Sequence, residues 1–128
     1  MAAEDDATDE FGLASGASLH TGEFLFREGD DADALYIVKS GVLRIVSGAT
    51  VYETVTAGGI VGEMAVVDRG MPRSASVIAG TAVELLKVPV DDFATLIARR
   101  PDFALAVMQV MARRLRVMNR RYRSQPSW

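Results

Sequence analysis

Between Leu19 and Val88 the chain is broken at short, regular intervals, mostly by glycine, and this punctuation constrains its fold more than any other feature. The breaks fall at Gly22, Gly29-Asp30-Asp31, Ser40-Gly41, Ser47-Gly48, Gly58-Gly59, Arg69-Gly70-Met71-Pro72 and Gly80. Between them lie runs rich in β-branched and aromatic residues: Phe24–Phe26, Leu35–Val38, Val42–Val46, Val51–Val55, Ala75–Ile78 and Val83–Val88. Short strands at this spacing predict an antiparallel sandwich or barrel. Arg44 and Glu84 mark positions within their runs that face water.

After Pro89 the pattern changes. Residues 90–100 read as a helix, with Asp91 and Asp92 at its start and Arg99 and Arg100 at its end, as the helix dipole favours. Pro101 forces a break and suits the first turn of a second helix, expected over 102–123. That helix carries Ala104, Met108, Met111, Leu115, Met118 and Tyr122 at heptad spacing. Part of this stripe docks on the chain's own β-core. Its arginine-flanked C-terminal half is expected to pair two copies as a homodimer. Residues 1–17, acidic and without period, are expected to be a disordered tail.

Composition removes whole classes of chemistry. A chain of 128 residues holds one domain with one core. It has no cysteine, which excludes disulfides, thiolate-held clusters and a cysteine nucleophile. Its one histidine, His20, argues against an imidazole metal or haem site, and neither a metal nor a cofactor is expected. No His/Ser/Asp triad is available beyond lone residues, so the chain is not expected to be an enzyme. No apolar run spans a bilayer and the acidic start is not a secretory signal, so no membrane partner is expected and the expected compartment is, by default, the cytoplasm. The net charge of −3 hides an asymmetry: residues 1–33 carry −9 and residues 34–128 carry +6. Six arginines lie between Arg113 and Arg123, and they read first as one face of a helix, with direct DNA binding not expected.

The segment Gly62-Glu63-Met64-Ala65, followed by Pro72-Arg73-Ser74-Ala75, concentrates the remaining chemistry. A carboxylate and a guanidinium each sit among residues with little side chain, which lets a ligand approach the backbone. Arg73 offers a planar fork suited to a phosphate, and Glu63 an acceptor suited to a sugar hydroxyl. A ligand that needs both close together is a cyclic nucleotide. The alternative is a structural Glu63–Arg73 ion pair beside a turn.

At these residues the chain resembles the cyclic nucleotide-binding domain family, closest to the sensor domain of catabolite activator protein type (Crp/Fnr) regulators. The resemblance runs from about Leu19 to Tyr122. It rests on the turns at Gly22, Gly29, Gly41 and Gly62, on Glu28-Gly29-Asp30 and Leu35–Gly41, on the two segments around Glu63 and Arg73, and on Met111-Ala112-Arg113-Arg114-Leu115. It departs from the family at Val61, where an aromatic residue is usual, and at Met118, where a small hydroxyl residue is common. The fold it implies is mainly β with C-terminal helices: a double-stranded β-helix, or jelly-roll-like β-roll, over 18–88, then a long dimerisation-type helix.

The resemblance also implies roles. Arg73 and Ser74 would hold the cyclic phosphate, and Glu63 would accept from the ribose 2′-hydroxyl. Gly62 permits the close approach, Met64 and Ala65 open a short helix toward the anion, and Ala75 completes the cassette. Arg114, Met118 and Asn119 take the positions of a lid over the base, with Asn119 reading its edge and Met118 packing on its face. The ligand expected is cyclic AMP, with cyclic GMP as the alternative. The function expected is a regulatory module that moves its C-terminal helix and acts on an effector protein. The alternatives are the ligand-sensing part of a Crp/Fnr-type transcription regulator, or a degenerate β-roll kept only for dimerisation. From the tail-like start and the Gln125-Pro126-Ser127-Trp128 end, a complete chain without a DNA-binding domain is expected, a truncated regulator being the alternative.

Overall fold

The computed structural model describes the backbone of residues 13–123 and side chains through residue 120. Among these residues eight strands form two four-stranded antiparallel sheets: β1 (Ser15–Leu19), β2 (Phe24–Phe26), β3 (Ala34–Ser40), β4 (Leu43–Ser47), β5 (Thr50–Val55), β6 (Ile60–Val61), β7 (Ser76–Ala79) and β8 (Val83–Pro89). One sheet has the order β1-β8-β3-β6 and the other β2-β7-β4-β5. Three helices follow among the described residues: α1 (Met64–Val67) between β6 and β7, then α2 (Val90–Arg99) and α3 (Pro101–Arg123).

The strand sequences match their places. β3 is central in its sheet, and nearly all of Ala34-Leu35-Tyr36-Ile37-Val38 is buried because both faces are covered. Ala34, Tyr36 and Val38 point between the sheets, where they meet Leu43, Val55, Val61, Val77, Ala79, Val83 and Leu85. Leu35 points the other way, with Ile60 and Val88, and meets Leu96, Val107 and Val110 of the helices. One sheet therefore serves two apolar clusters, and each fully buried Leu or Val contributes roughly 1.5–3 kcal/mol. The expected Val61, buried without an aromatic ring, fills the inter-sheet core.

The six expected strands all form, and two were not foreseen. β1 lies inside the segment expected to be a tail: Ser15–Leu19 pairs with Val83–Lys87 of β8, and Ala14 is buried against the helices. The tail expectation is thus corrected for residues 13–17, and its remainder lies outside the described residues. β6 is only two residues long and pairs with Tyr36 and Ile37. α2 carries Asp91 and Asp92 in its first turn and Arg99 in its last, as its sequence predicts. α3 begins at Pro101.

The heptad stripe needs a correction of register. Phe103, Ala106, Val107, Val110 and Met111 face the chain's own core, which turns Ala104 and Met111 half inward. The exposed apolar residues are Leu105, Met108, Leu115 and Met118, each more than half exposed. The helix's own 3.6-residue turn decides this, because the core-facing set uses one side and leaves a second side apolar and open. The side chain of Tyr122 lies outside the described residues.

Candidate functional site

The Gly29–Asp30 turn fixes Arg73 first through its backbone. Arg73 N donates to Asp30 O at 2.8 Å, and Gly29 N donates to Arg73 O at 2.9 Å. The side chain then runs inward, where only 4% of it is exposed. Its Nη2 donates to Ala34 O at 2.8 Å, Nη1 approaches Gly62 O at 3.5 Å, and Asp33 Oδ1 lies 3.7 Å away. The guanidinium stacks over Phe26, 3.9 Å from the ring centroid. Its Nε is buried without a hydrogen-bond partner. Burial pushes this guanidinium below its ordinary pKa, against the pull of Tyr36, Asp33, Asp30 and Glu63, and it remains a cation at neutral pH. A buried donor left without an acceptor costs about 1–3 kcal/mol.

Gly62 is required next to Arg73 on two grounds. Its φ is +76°, a conformation that side chains resist, and a Cβ there would lie 2.7 Å from Arg73 Nη1. Glu63 follows, buried at the start of α1. No ion pair joins it to Arg73 among the described residues, so the structural-pair alternative is not what forms. The carboxylate instead meets α3: Arg114 Nη1 donates to Glu63 Oε1 at 2.6 Å. Met64 is about half exposed and Ala65 is buried. The Ala65 amide already donates to Gly62 O at 3.1 Å, so it is spent within the turn rather than directed at a ligand. Ser74 is exposed beside Arg73, and Ala75 is half-buried.

Arg114 is the residue whose placement departs most from expectation. It does not stand open over the site but ties α3 to the β-roll. Nε and Nη2 donate to Glu53 Oε1 and Oε2 at 2.8 and 3.1 Å, and Nη2 also donates to Ile60 O at 2.9 Å. Burial lowers the Arg114 pKa, but hydrogen bonds and charges from Glu53 and Glu63 outweigh it and hold the value above the ordinary range. Met118 and Asn119, one turn further, are exposed and are not brought to Glu63 or Arg73 in this single chain. Sequence reasoning missed three contributors: Glu53, Phe26 and the Ala34 carbonyl. Of these, Glu53 alone leaves a sequence trace, as an acid two residues before the buried Val55 and so on the same strand face.

The arrangement sets the buried Arg73 guanidinium beside Gly62 and places the next residue's carboxylate, Glu63, on Arg114 of α3. Comparison with known proteins gives this geometry a family. The profile of the cyclic nucleotide-binding domain matches residues 17–100. The cyclic AMP receptor protein of Thermus thermophilus is 36% identical over 100 residues, 74% of this chain and 46% of that protein. The crystal structure of Thermus thermophilus catabolite activator protein superposes with a TM-score of 0.76 at 31% identity, covering 86% of this chain and 54% of that one. Lysophospholipase nte1 of Neurospora crassa is 31% identical over 103 residues, 77% of this chain but 7% of that protein. This chain thus spans about half the length of these regulators and a small part of the lysophospholipase. The chain belongs to the cyclic nucleotide-binding domain family, of the type carried by Crp/Fnr regulators.

Proposed function

We propose that this chain is a regulatory module that binds a 3′,5′-cyclic nucleotide, with cyclic AMP preferred to cyclic GMP, and signals by repositioning α3. The observation that carries this reading is Arg73: a buried arginine, held by Ala34 O and Phe26, whose Nε lacks an acceptor. A cyclic phosphate supplies acceptor oxygens and charge together, and a guanidinium meets them with Nε and an Nη in parallel. Glu63, one residue from Gly62, accepts the one free ribose hydroxyl. Ser74 adds a hydroxyl to the phosphate, Gly62, Ala65 and Ala75 are the small residues around it, and Met64 opens the short helix α1 beside it.

Signalling follows from the Arg114–Glu63 contact. A ligand that meets Glu63 alters the partner that tethers α3, and it shifts the helix by its unequal affinity for the two positions. The exposed stripe of Leu105, Met108, Leu115 and Met118 pairs two copies, and dimerisation or helix movement brings Met118 and Asn119 over the base. The module works in the cytoplasm on a separate effector protein and not as an enzyme or a direct DNA reader. No helix among the described residues is long and apolar enough to cross a membrane. A second reading, the sensing part of a longer transcription regulator, is favoured by the Thermus relatives, of which the chain covers about half.

A melting scan against cyclic AMP, cyclic GMP and a cyclic dinucleotide tests the proposal. Cyclic AMP should raise the melting temperature most, and Arg73→Leu should remove the response. A wild-type chain that no cyclic nucleotide stabilises leaves the degenerate β-roll as the better reading.

A further inference from the structure

Glu53 stands where an apolar residue is expected. It pairs in register with Ile45, which packs on the inter-sheet core, and lies two residues before the buried Val55. Its side chain is only 25% exposed. A carboxylate turned to that face is costly unless a cation meets it. The cation comes from α3, 61 residues along the chain, and the pairing is bidentate, with both Glu53 oxygens engaged by Arg114. Arg113 Nη2 adds a longer contact to Glu53 Oε2 at 3.5 Å. A fork-to-fork pair fixes the plane of the guanidinium as well as its position. With Nε and Nη2 taken by Glu53 and Ile60 O, only Nη1 remains to meet Glu63, and it meets one oxygen, Oε1.

We propose that Glu53 is a positioning residue of this site, acting through Arg114 to keep one oxygen of Glu63 available to the ligand's sugar and to seat α3 beside it. The proposal rests on the cyclic nucleotide reading of Glu63 and adds to it a residue outside the Glu63 and Arg73 segments. Without Glu53, Arg114 is free to turn its fork onto Glu63 and occupy both oxygens, which sets the cation against the ribose hydroxyl for the same acceptor. Glu53 thereby sets how strongly the helix and the ligand compete at one carboxylate. Its role requires the carboxylate and not merely a side chain of that size.

The test is a double-mutant cycle on full-length chain, read by cyclic AMP affinity and by amide hydrogen exchange in residues 107–120. Glu53→Gln should weaken binding about tenfold, the scale of a lost charge-assisted hydrogen bond. In an Arg114→Gln background the same change should alter affinity less than about twofold, because its effect passes through Arg114. Equal losses in both backgrounds, or no loss in the wild-type background, overturn the proposal. Glu53→Asp, which keeps the charge on a shorter arm, should fall between wild type and Glu53→Gln, and an effect as large as that of Glu53→Gln counts against a role for the carboxylate. The ligand-free exchange arm stands apart from the ligand reading. If the wild-type chain binds no cyclic nucleotide, the reading of Glu63 fails, while faster α3 exchange in Glu53→Gln still supports the seating of the helix. Unchanged exchange overturns it.

Discussion

At the scale of single residues, the site turns on how closely Gly62 and Arg73 are fitted. An added methyl at Gly62 meets Arg73 Nη1 at 2.7 Å and the Ala34 carbonyl at 3.2 Å, on a backbone with φ of +76°. The arginine end can yield and the carbonyl cannot, so the guanidinium is displaced. Gly62→Ala is expected to abolish cyclic nucleotide binding and to cost about 1–2 kcal/mol of stability, measured by titration and by urea unfolding. Glu63 and Arg73 were legible in the sequence because each sits in a small-residue segment that has no packing use for a charge. Phe26 and Ala34 were not legible. They come from distant strands, and one acts by a ring face and the other by a backbone carbonyl, neither of which marks a sequence. Glu53 left a trace, an acid on an inward strand face, but its meaning depended on an arginine supplied from α3.

At the scale of elements, α3 carries two apolar sides and the sequence alone blended them. The expected stripe mixed core-facing Met111 with exposed Met108 and Leu115, because both sides repeat at heptad-like spacing. Leu115 is 58% exposed in the single chain, so Leu115→Glu removes no core packing, and any fall in melting temperature should come from loss of the dimer. In sedimentation it should convert a dimer to a monomer, whereas a monomeric wild-type chain contradicts the paired-helix reading. The seating of α3 is also expected to weaken in acid. Burial raises the Glu53 pKa, but Arg114 and then Arg113 outweigh it and hold the value below the ordinary 4.5. A carboxyl lowered on folding adds stability that is whole above its unfolded value and fades as pH falls toward the folded one. The arginines stay charged throughout, and Glu63 faces the same guanidinium. Protection factors in residues 107–120, corrected for the intrinsic slowing of exchange in acid, should therefore fall as the pH drops below the ordinary 4.5, and less so in Glu53→Gln.

At the scale of the whole molecule, glycine punctuation was enough to place six strands and the change to helices, because turns and alternation are local signals. β1 escaped because Ser15-Gly16-Ala17-Ser18 has no strand-like composition and is held by pairing with β8, a contact that no local pattern records. β6 escaped because two residues are too few for a period. The assembled roll puts Arg73 between the Gly29–Asp30 turn and β3, and brings α3 across to Glu53, Ile60 and Glu63. The proposed ligand site and α3 are thus joined through Arg114, and binding is expected to register as stability of the whole fold. At a hundred times its dissociation constant, a ligand adds about 2.7 kcal/mol, a rise in melting temperature on the order of 10 °C for a domain this size. The most direct test of the central claim is isothermal titration of the purified chain with cyclic AMP, beside Arg73→Leu. The account predicts saturable heat with a micromolar dissociation constant that vanishes in the variant. Absence of binding by the wild-type chain, or equal binding by Arg73→Leu, contradicts it.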